Sequence, residues 1–261
     1  MLFPDFRRRE RSLGRRSVSK PIIPAGVRAY AIGDVHGRDD LLNDLIRKIS
    51  EDIAGRSKAK NHIVMLGDLI DRGPDSCKVI ERLCRFAEPN VELHILSGNH
   101  EEVLLRILEG QSELIVSWLR FGGAETLRSY GVDANDVRRV DDEAGLRLIR
   151  SAIPADHQAF LRSLADTVRL GDYLFVHAGV RPRIDFLAQN QTDLRWIREP
   201  FLSDDGDHGF IVVHGHTVTD EVVDRPNRIG IDTGAYATGR LTALGLEAER
   251  RWFMESAGSP K

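Results

Sequence analysis

Six side chains spread from position 34 to position 216 offer the donor atoms of a metal centre: Asp34, His36, Asp68, Asn99, His177 and His216. Each stands in a short turn that contains glycine. The turns read Ile32-Gly33-Asp34-Val35-His36-Gly37, Leu66-Gly67-Asp68, Ser97-Gly98-Asn99-His100-Glu101, His177-Ala178-Gly179 and His214-Gly215-His216-Thr217. One Asp-Gly or Gly-Asn pair is ordinarily a turn and nothing more. Five such turns, each directly after an apolar run of strand length, point instead to donors gathered at one edge of a sheet, where ligands collect in open α/β folds. Mixed carboxylate, amide and imidazole donors suit manganese, iron or zinc better than calcium. Six donors exceed what one open catalytic ion takes, and they fit two ions that share a carboxylate. Such a pair, about 3.5–4 Å apart, clamps the attacking and leaving oxygens of an in-line phosphoryl displacement.

The elements that must carry these turns follow from hydrophobic periodicity. Strands are expected at Arg28–Ile32, His62–Leu66, Val91–Leu96, Tyr173–Val176 and Phe210–Val213. Between them, Asp40–Ile53 and Ser76–Phe86 repeat apolar residues at helical spacing. Alternating strand and helix implies βαβ units and a buried sheet. Residues 101–165 break the alternation. They read as helices over Glu101–Leu108, Glu113–Phe121, Glu125–Tyr130, Asp142–Ala152 and Pro154–Leu164, a helical cap or flank with an apolar core. The stretch Glu221–Glu247 holds β-rich runs, with Leu241–Leu246 the longest, and is expected to close a second sheet.

The motifs Gly33-Asp34-X-His36-Gly37, Gly67-Asp68-X-X-Asp71-Arg72-Gly73 and Gly98-Asn99-His100-Glu101, in this order, resemble the PPP-type serine/threonine phosphatases of the calcineurin-like metallophosphoesterase superfamily. His177-Ala178, Trp196-Ile197-Arg198 and Gly215-His216-Thr217 look like the smaller bacterial and phage members. The resemblance implies an α/β/β/α sandwich of two mixed β-sheets flanked by helices, with a helical cap. It implies that Asp34 and His36 hold one divalent ion, Asp68 bridges, and Asn99, His177 and His216 hold the other. Manganese is the expected metal, with iron or zinc as alternatives. A water held between the ions would attack, Arg72 and Arg198 would grip phosphate oxygens, and His100, oriented by Asp71, would protonate the leaving group. His214, in a His-Gly-His order, reads as packing rather than as a seventh ligand. Arg195 is the weaker alternative to Arg198. Asp232-Thr233-Gly234 resembles a late family strand that supports the site. His62, His94, His157 and His208 fall outside the motifs and read as core or surface residues.

Three activities compete on this scaffold. The leading one is dephosphorylation of phosphoserine or phosphothreonine in a protein or peptide partner. Symmetric dinucleoside tetraphosphatases share the metal motifs, but they tend to carry Gly-Asn-His-Asp where this chain has Glu101, and to replace the residue equivalent to Asp71. A broad-specificity phosphatase of small molecules is the third. A non-catalytic adaptor would be expected to have lost ligands, and none of the six is lost. No Walker A loop is present.

Composition frames this reading. The 261 residues are 41% hydrophobic and 30% charged, as in ordinary globular proteins. No apolar run approaches the roughly 18 residues of a membrane span, and no signal-peptide pattern opens the chain. A cytoplasmic protein is expected. Residues 1–20 carry seven cations against Asp5 and Glu10, a net +5 within a chain total of −3. The domain boundaries expected are therefore a disordered basic arm over 1–25, one metallophosphoesterase domain over 26–250, and a tail over 251–261. The arm could contact an acidic partner, and nucleic acid is not expected. Cys77 and Cys84, seven residues apart on one helix, are too distant along the axis for a disulfide.

Overall fold

The computed structural model describes residues 21–258. Its ten strands are β1 (Val27–Ile32), β2 (Lys60–Met65), β3 (Val91–Ile95), β4 (Thr167–Leu170), β5 (Tyr173–Val176), β6 (Ile211–His214), β7 (Val223–Asp224), β8 (Arg228–Gly230), β9 (Arg240–Glu247) and β10 (Arg250–Ala257). They form two five-stranded sheets, ordered β10-β9-β1-β2-β3 and β4-β5-β6-β8-β7. Both are mixed. In the first, β1, β2 and β3 run parallel, β9 is antiparallel to β1, and β10 is antiparallel to β9. In the second, β5, β6 and β8 run parallel and β4 and β7 are antiparallel.

Strand alternation explains the layers. Ala29 and Ala31 of β1 point into a cluster shared with Val64, Phe175, Val213 and Leu244, between the two sheets. Tyr30 and Ile32 point the other way, beneath Leu42, Leu45 and Ile49 of α1 (Asp39–Ala54) and Val79, Ile80 and Leu83 of α2 (Ser76–Cys84). Leu174 and Val176 face outward from the second sheet onto Leu194, Ile197 and Phe201. Side chains leave a strand on alternate faces, so strands buried on both faces need four layers. The result is the expected α/β/β/α sandwich.

The helical block packs on the outer face of the first sheet. α3 (Asn99–Leu108) opens it, and helices at Ala124–Ser129, Asp142–Ala152 and Ala155–Arg162 match expectation closely. Glu113–Phe121, read as one helix, is instead a 3₁₀ turn at Ser112–Leu114, a short helix at Ile115–Trp118 and a wide π turn at Leu119–Gly123. Gly122, with φ 118°, breaks the spiral there. Short helices at Ala134–Arg138 and Gln191–Trp196 were not legible, since a helix of one or two turns shows too little period.

Two expectations at the C-terminus are corrected. Leu241–Leu246 does not close the second sheet. It lies in β9, which pairs with β1 in the middle of the first, because Leu241 and Ala243 face the helical layer while Leu244 and Leu246 face the interlayer cluster. Residues 251–257, read as tail, belong to β10, the edge strand beside β9. Trp252, Met254 and Ser256 on one face of β10 turn inward, and the other face is exposed, which hid the strand. At the other end the boundary at residue 25 also shifts. Ile23 is buried in the interlayer cluster, and its N–H donates to Ala248 O at 3.0 Å. Most of the basic arm, residues 1–20, lies outside the described residues.

Candidate metal centre

The turns after β1, β2 and β3 bring Asp34, His36, Asp68 and Asn99 to one end of the first sheet. The turns after β5 and β6 bring His177 and His216 from the second. Parallel pairing aligns these strand ends, and backbone bonds stitch the turns together. Val35 and His36 N–H both donate to Asp68 O, at 3.1 and 2.8 Å, and Gly215 N–H donates to His177 O at 2.8 Å. His36, Asp68 and His216 all adopt left-handed backbone angles, with φ 44°, 46° and 63°. Such angles are uncommon outside glycine and cluster at functional sites. A Cβ on Gly98 would fall 2.1 Å from Asp68 Oδ1, and one on Gly215 would fall 1.9 Å from Asp34 Oδ1. Glycine at these two positions lets the backbone close on the carboxylates.

Asp68 lies at the middle. Its Oδ2 is 3.5 Å from His36 Nε2 and 3.9 Å from His100 Nε2, and its Oδ1 is 3.4 Å from His177 Nε2. Its carboxylate belongs to two separate three-donor groups, one with His36 and His100 and one with His177 and His216. Asn99 Oδ1 lies 3.0 Å from His177 Nε2 and 2.8 Å from His216 Nδ1. Asp34 accepts the His216 backbone N–H at 3.0 Å. All six predicted donors are buried at this end of the fold, but Asp34 belongs to neither three-donor group and meets the others through the His216 backbone.

Glu101 organises the floor. Its buried carboxylate accepts the N–H groups of Gly98, Asp68 and Leu69 at 2.8–2.9 Å and of Ile70 at 3.3 Å. Burial, followed by the neighbouring Asp68, raises its pKa to about 7. The motif contains Glu101, but its role in joining two turns needs the fold to be seen.

The flanking residues form a second unit. His100 Nδ1 lies 2.6 Å from Asp71 Oδ2, and Arg72 Nη2 lies 3.1 Å from His100 Nε2. Asp71 is fully buried. Thr126 Oγ1 donates to its Oδ1 at 2.7 Å, and Trp118 Nε1 reaches its Oδ2 at 3.1 Å. Both partners come from the helical block, read from sequence only as core. Burial alone would depress the His100 pKa, but Asp68 and Asp71 overcome it and raise it to about 9. The Arg72 guanidinium also stands 4.6 Å over the Tyr236 ring.

Arg198 is exposed beside His216, whose pKa falls to about 3 mainly through burial, then His177, with Arg198 contributing. Arg195 is committed elsewhere, to Asp166 at 2.6 Å and Glu102 at 3.5 Å. His214 lies in neither three-donor group, and its ring packs edge-on to Phe201 at 5.1 Å. The sequence marks Asp232 only as support for the site. Burial raises its pKa to about 6, and it faces Asp34, whose pKa is raised by burial and then by Asp232 and Asp68.

These residues fit a pair of divalent cations. Asp34, Asp68 and Asp232 are buried carboxylates crowded together, an arrangement that positive charge relieves. The buried His216 Nε2 has no hydrogen-bond partner. The donor set of oxygen and imidazole nitrogen suits a first-row divalent metal.

Residues 27–247 match the calcineurin-like phosphoesterase family, and the chain belongs to it. It is a metallophosphoesterase, a hydrolase whose family implies divalent metal ions. Among curated relatives, it is 26% identical over 248 residues to the asymmetrical bis(5′-nucleosyl)-tetraphosphatase PrpE of Bacillus velezensis, covering 87% of this chain and 92% of the relative. It is also 26% identical over 266 residues to the symmetrical bis(5′-nucleosyl)-tetraphosphatase of Paracidovorax citrulli, covering 82% and 91%. A solved structure described as a candidate diadenosine tetraphosphatase aligns with TM-score 0.63 at 21% identity, over 90% of this chain and all of that one. A protein serine/threonine phosphatase from Saccharomyces cerevisiae aligns with TM-score 0.54 at 14% identity, over 90% and 81%. At these identities the two structures establish the shared fold alone.

Proposed function

We propose that this chain hydrolyses phosphate monoesters with alkoxide leaving groups, with phosphoserine and phosphothreonine in proteins or peptides as the substrate class. The observation that carries the reading is the 2.6 Å contact between Asp71 and His100, set beside Arg72. A serine or threonine alkoxide is strongly basic and leaves well only if protonated as the bond breaks. A nucleotide phosphate departs as a stable anion and needs no such donor. A buried histidine held by a carboxylate, which favours its protonated form, is therefore most useful against an alkyl ester.

Asp34, His36, Asp68, Asn99, His177 and His216 would hold the two cations, with manganese the ion we favour and iron or zinc the alternatives. Such ions, when bound, lower the pKa of water and offset the negative charge of the phosphate. Arg72 would bind the phosphoryl oxygens through a charge-assisted fork while Tyr236 supports its guanidinium. Arg198, exposed at the opposite flank, would supply a second positive contact. His100, once protonated, would pass a proton from Nε2 to the departing oxygen, and Asp71, accepting the Nδ1–H, would favour the imidazolium before that transfer.

A second reading, hydrolysis of dinucleoside tetraphosphates, is supported by the names of the relatives quoted above. One experiment separates the two. The manganese-loaded protein is given a phosphoserine peptide and diadenosine tetraphosphate in parallel. A kcat/KM at least tenfold higher on the peptide is the expected result, and the reverse preference would replace this reading with the second.

A further inference from the structure

A separate group of donors lies in the interlayer region, away from the catalytic end of the sheet. His62 on β2 and Glu92 and His94 on β3 project from the same face, because His62 is in register with Glu92, and Glu92 and His94 are two residues apart. His62 stands three residues before the end of β2, about 10 Å down the strand from the end that carries the catalytic turns. None of the three belongs to a motif used above.

The spacing is that of a coordination sphere. His62 Nδ1 lies 2.9 Å from His94 Nε2, His94 Nε2 lies 3.5 Å from Glu92 Oε1, and His62 Nδ1 lies 3.8 Å from Glu92 Oε2. Four ligands at tetrahedral zinc bond lengths of about 2.0–2.1 Å stand about 3.3 Å from one another. The three separations bracket that value, so small side-chain movements would seat an ion. Two imidazole nitrogens at 2.9 Å form a donor–acceptor pair, so an ion seated between them would displace the one proton they share. The two rings are near-parallel, 15° apart, with centroids separated by 5.2 Å.

Access and partners agree with this. His62 is buried and His94 partly so, whereas Glu92 is half exposed and lines a cleft of about 570 Å³ with Lys60, Gly26 and Asn90. Lys60 Nζ binds Glu92 Oε2 at 2.7 Å, which leaves Oε1 toward His94. Lys60 is itself exposed, and there it would orient the carboxylate from outside, as neighbours of metal ligands commonly do.

We propose that His62, Glu92 and His94 form a third cation site, for a divalent transition ion of the zinc type, that clips edge strand β3 to β2. Two imidazoles and one carboxylate select such an ion over magnesium or calcium. The fourth position, toward the cleft, is left to water. The site is structural: it closes across two neighbouring strands, and occupancy would raise the stability of the sheet edge by mass action.

The test uses full-length protein stripped of metal, zinc alone as the probe, and bound zinc counted by elemental analysis after equilibrium dialysis. Wild type should hold three ions, His94→Asn two, Asp68→Asn one, and the double variant none. Zinc should also raise the melting temperature of Asp68→Asn but not of the double variant. Equal zinc content in Asp68→Asn and the double variant would overturn the proposal. Should His94→Asn fail to fold by circular dichroism, Glu92→Gln decides at low folding risk: at least tenfold weaker zinc binding in the Asp68→Asn background supports the site, and unchanged binding rejects it. Failure of the catalytic reading looks different, because wild type and Asp68→Asn would then bind the same single ion.

Discussion

Asp71 Oδ2 sits 2.6 Å from His100 Nδ1, and the carboxylate is fixed on its far side by Thr126 and Trp118 from the helical block. The block thus reaches the reacting group through one buried acid. His100→Asn should lower kcat on a phosphoserine peptide by about 10²–10⁴-fold. On p-nitrophenyl phosphate, whose leaving group needs little protonation, the loss should be much smaller. Metal content should not change. Equal losses on both substrates would mean that His100 is not the proton donor.

Asp68 faces both donor groups, so Asp68→Asn should empty both catalytic positions rather than one. Elemental analysis of manganese-loaded wild type and variant measures this directly. Activity of wild type should vanish in chelator and return with added manganese. A variant that keeps one of the two catalytic ions would show that another residue does the bridging.

Glu101 accepts four backbone N–H groups from two turns. Glu101→Ala strands these donors in a buried place at about 1–3 kcal/mol each where water cannot reach them. A fall in melting temperature on the order of 10 °C is expected by differential scanning calorimetry. A change within a degree or two would mean that the turns are held by other contacts.

Arg28 is a fully buried cation, paired with Glu247 at 2.7 Å. The hydrogen bond from Arg28 holds the Glu247 carboxyl below its usual pKa. A depressed folded-state pKa adds stability above the unfolded value of about 4.3, and that stability is lost as pH falls through the folded value. Glu247→Gln should therefore lower the melting temperature at pH 7 and narrow its gap to wild type as pH falls from about 5 to 3. A gap that stays constant over that range would remove the pair from the stability account.

The catalytic end of the fold was readable because each donor is marked twice, by residue type and by the glycine turn after a strand. Asp34, Asp68 and His216 could be placed before any coordinates. What escaped reading depends on distant partners. Thr126 and Trp118 carry no chemistry of their own until Asp71 is seen against them. β10 exposes one face, so Arg251, Phe253 and Glu255 dilute the signal of Trp252 and Met254. His62 and His94, 32 positions apart, become neighbours only through the parallel register of β2 and β3.

The six candidate donors come from both layers of the sandwich, four from the first sheet and two from the second. The first sheet alone presents its four donors with no imidazoles opposite them until the second sheet packs against it. Capture of the second cation would then serve as a checkpoint on assembly, passed only when the two sheets have met in the right alignment.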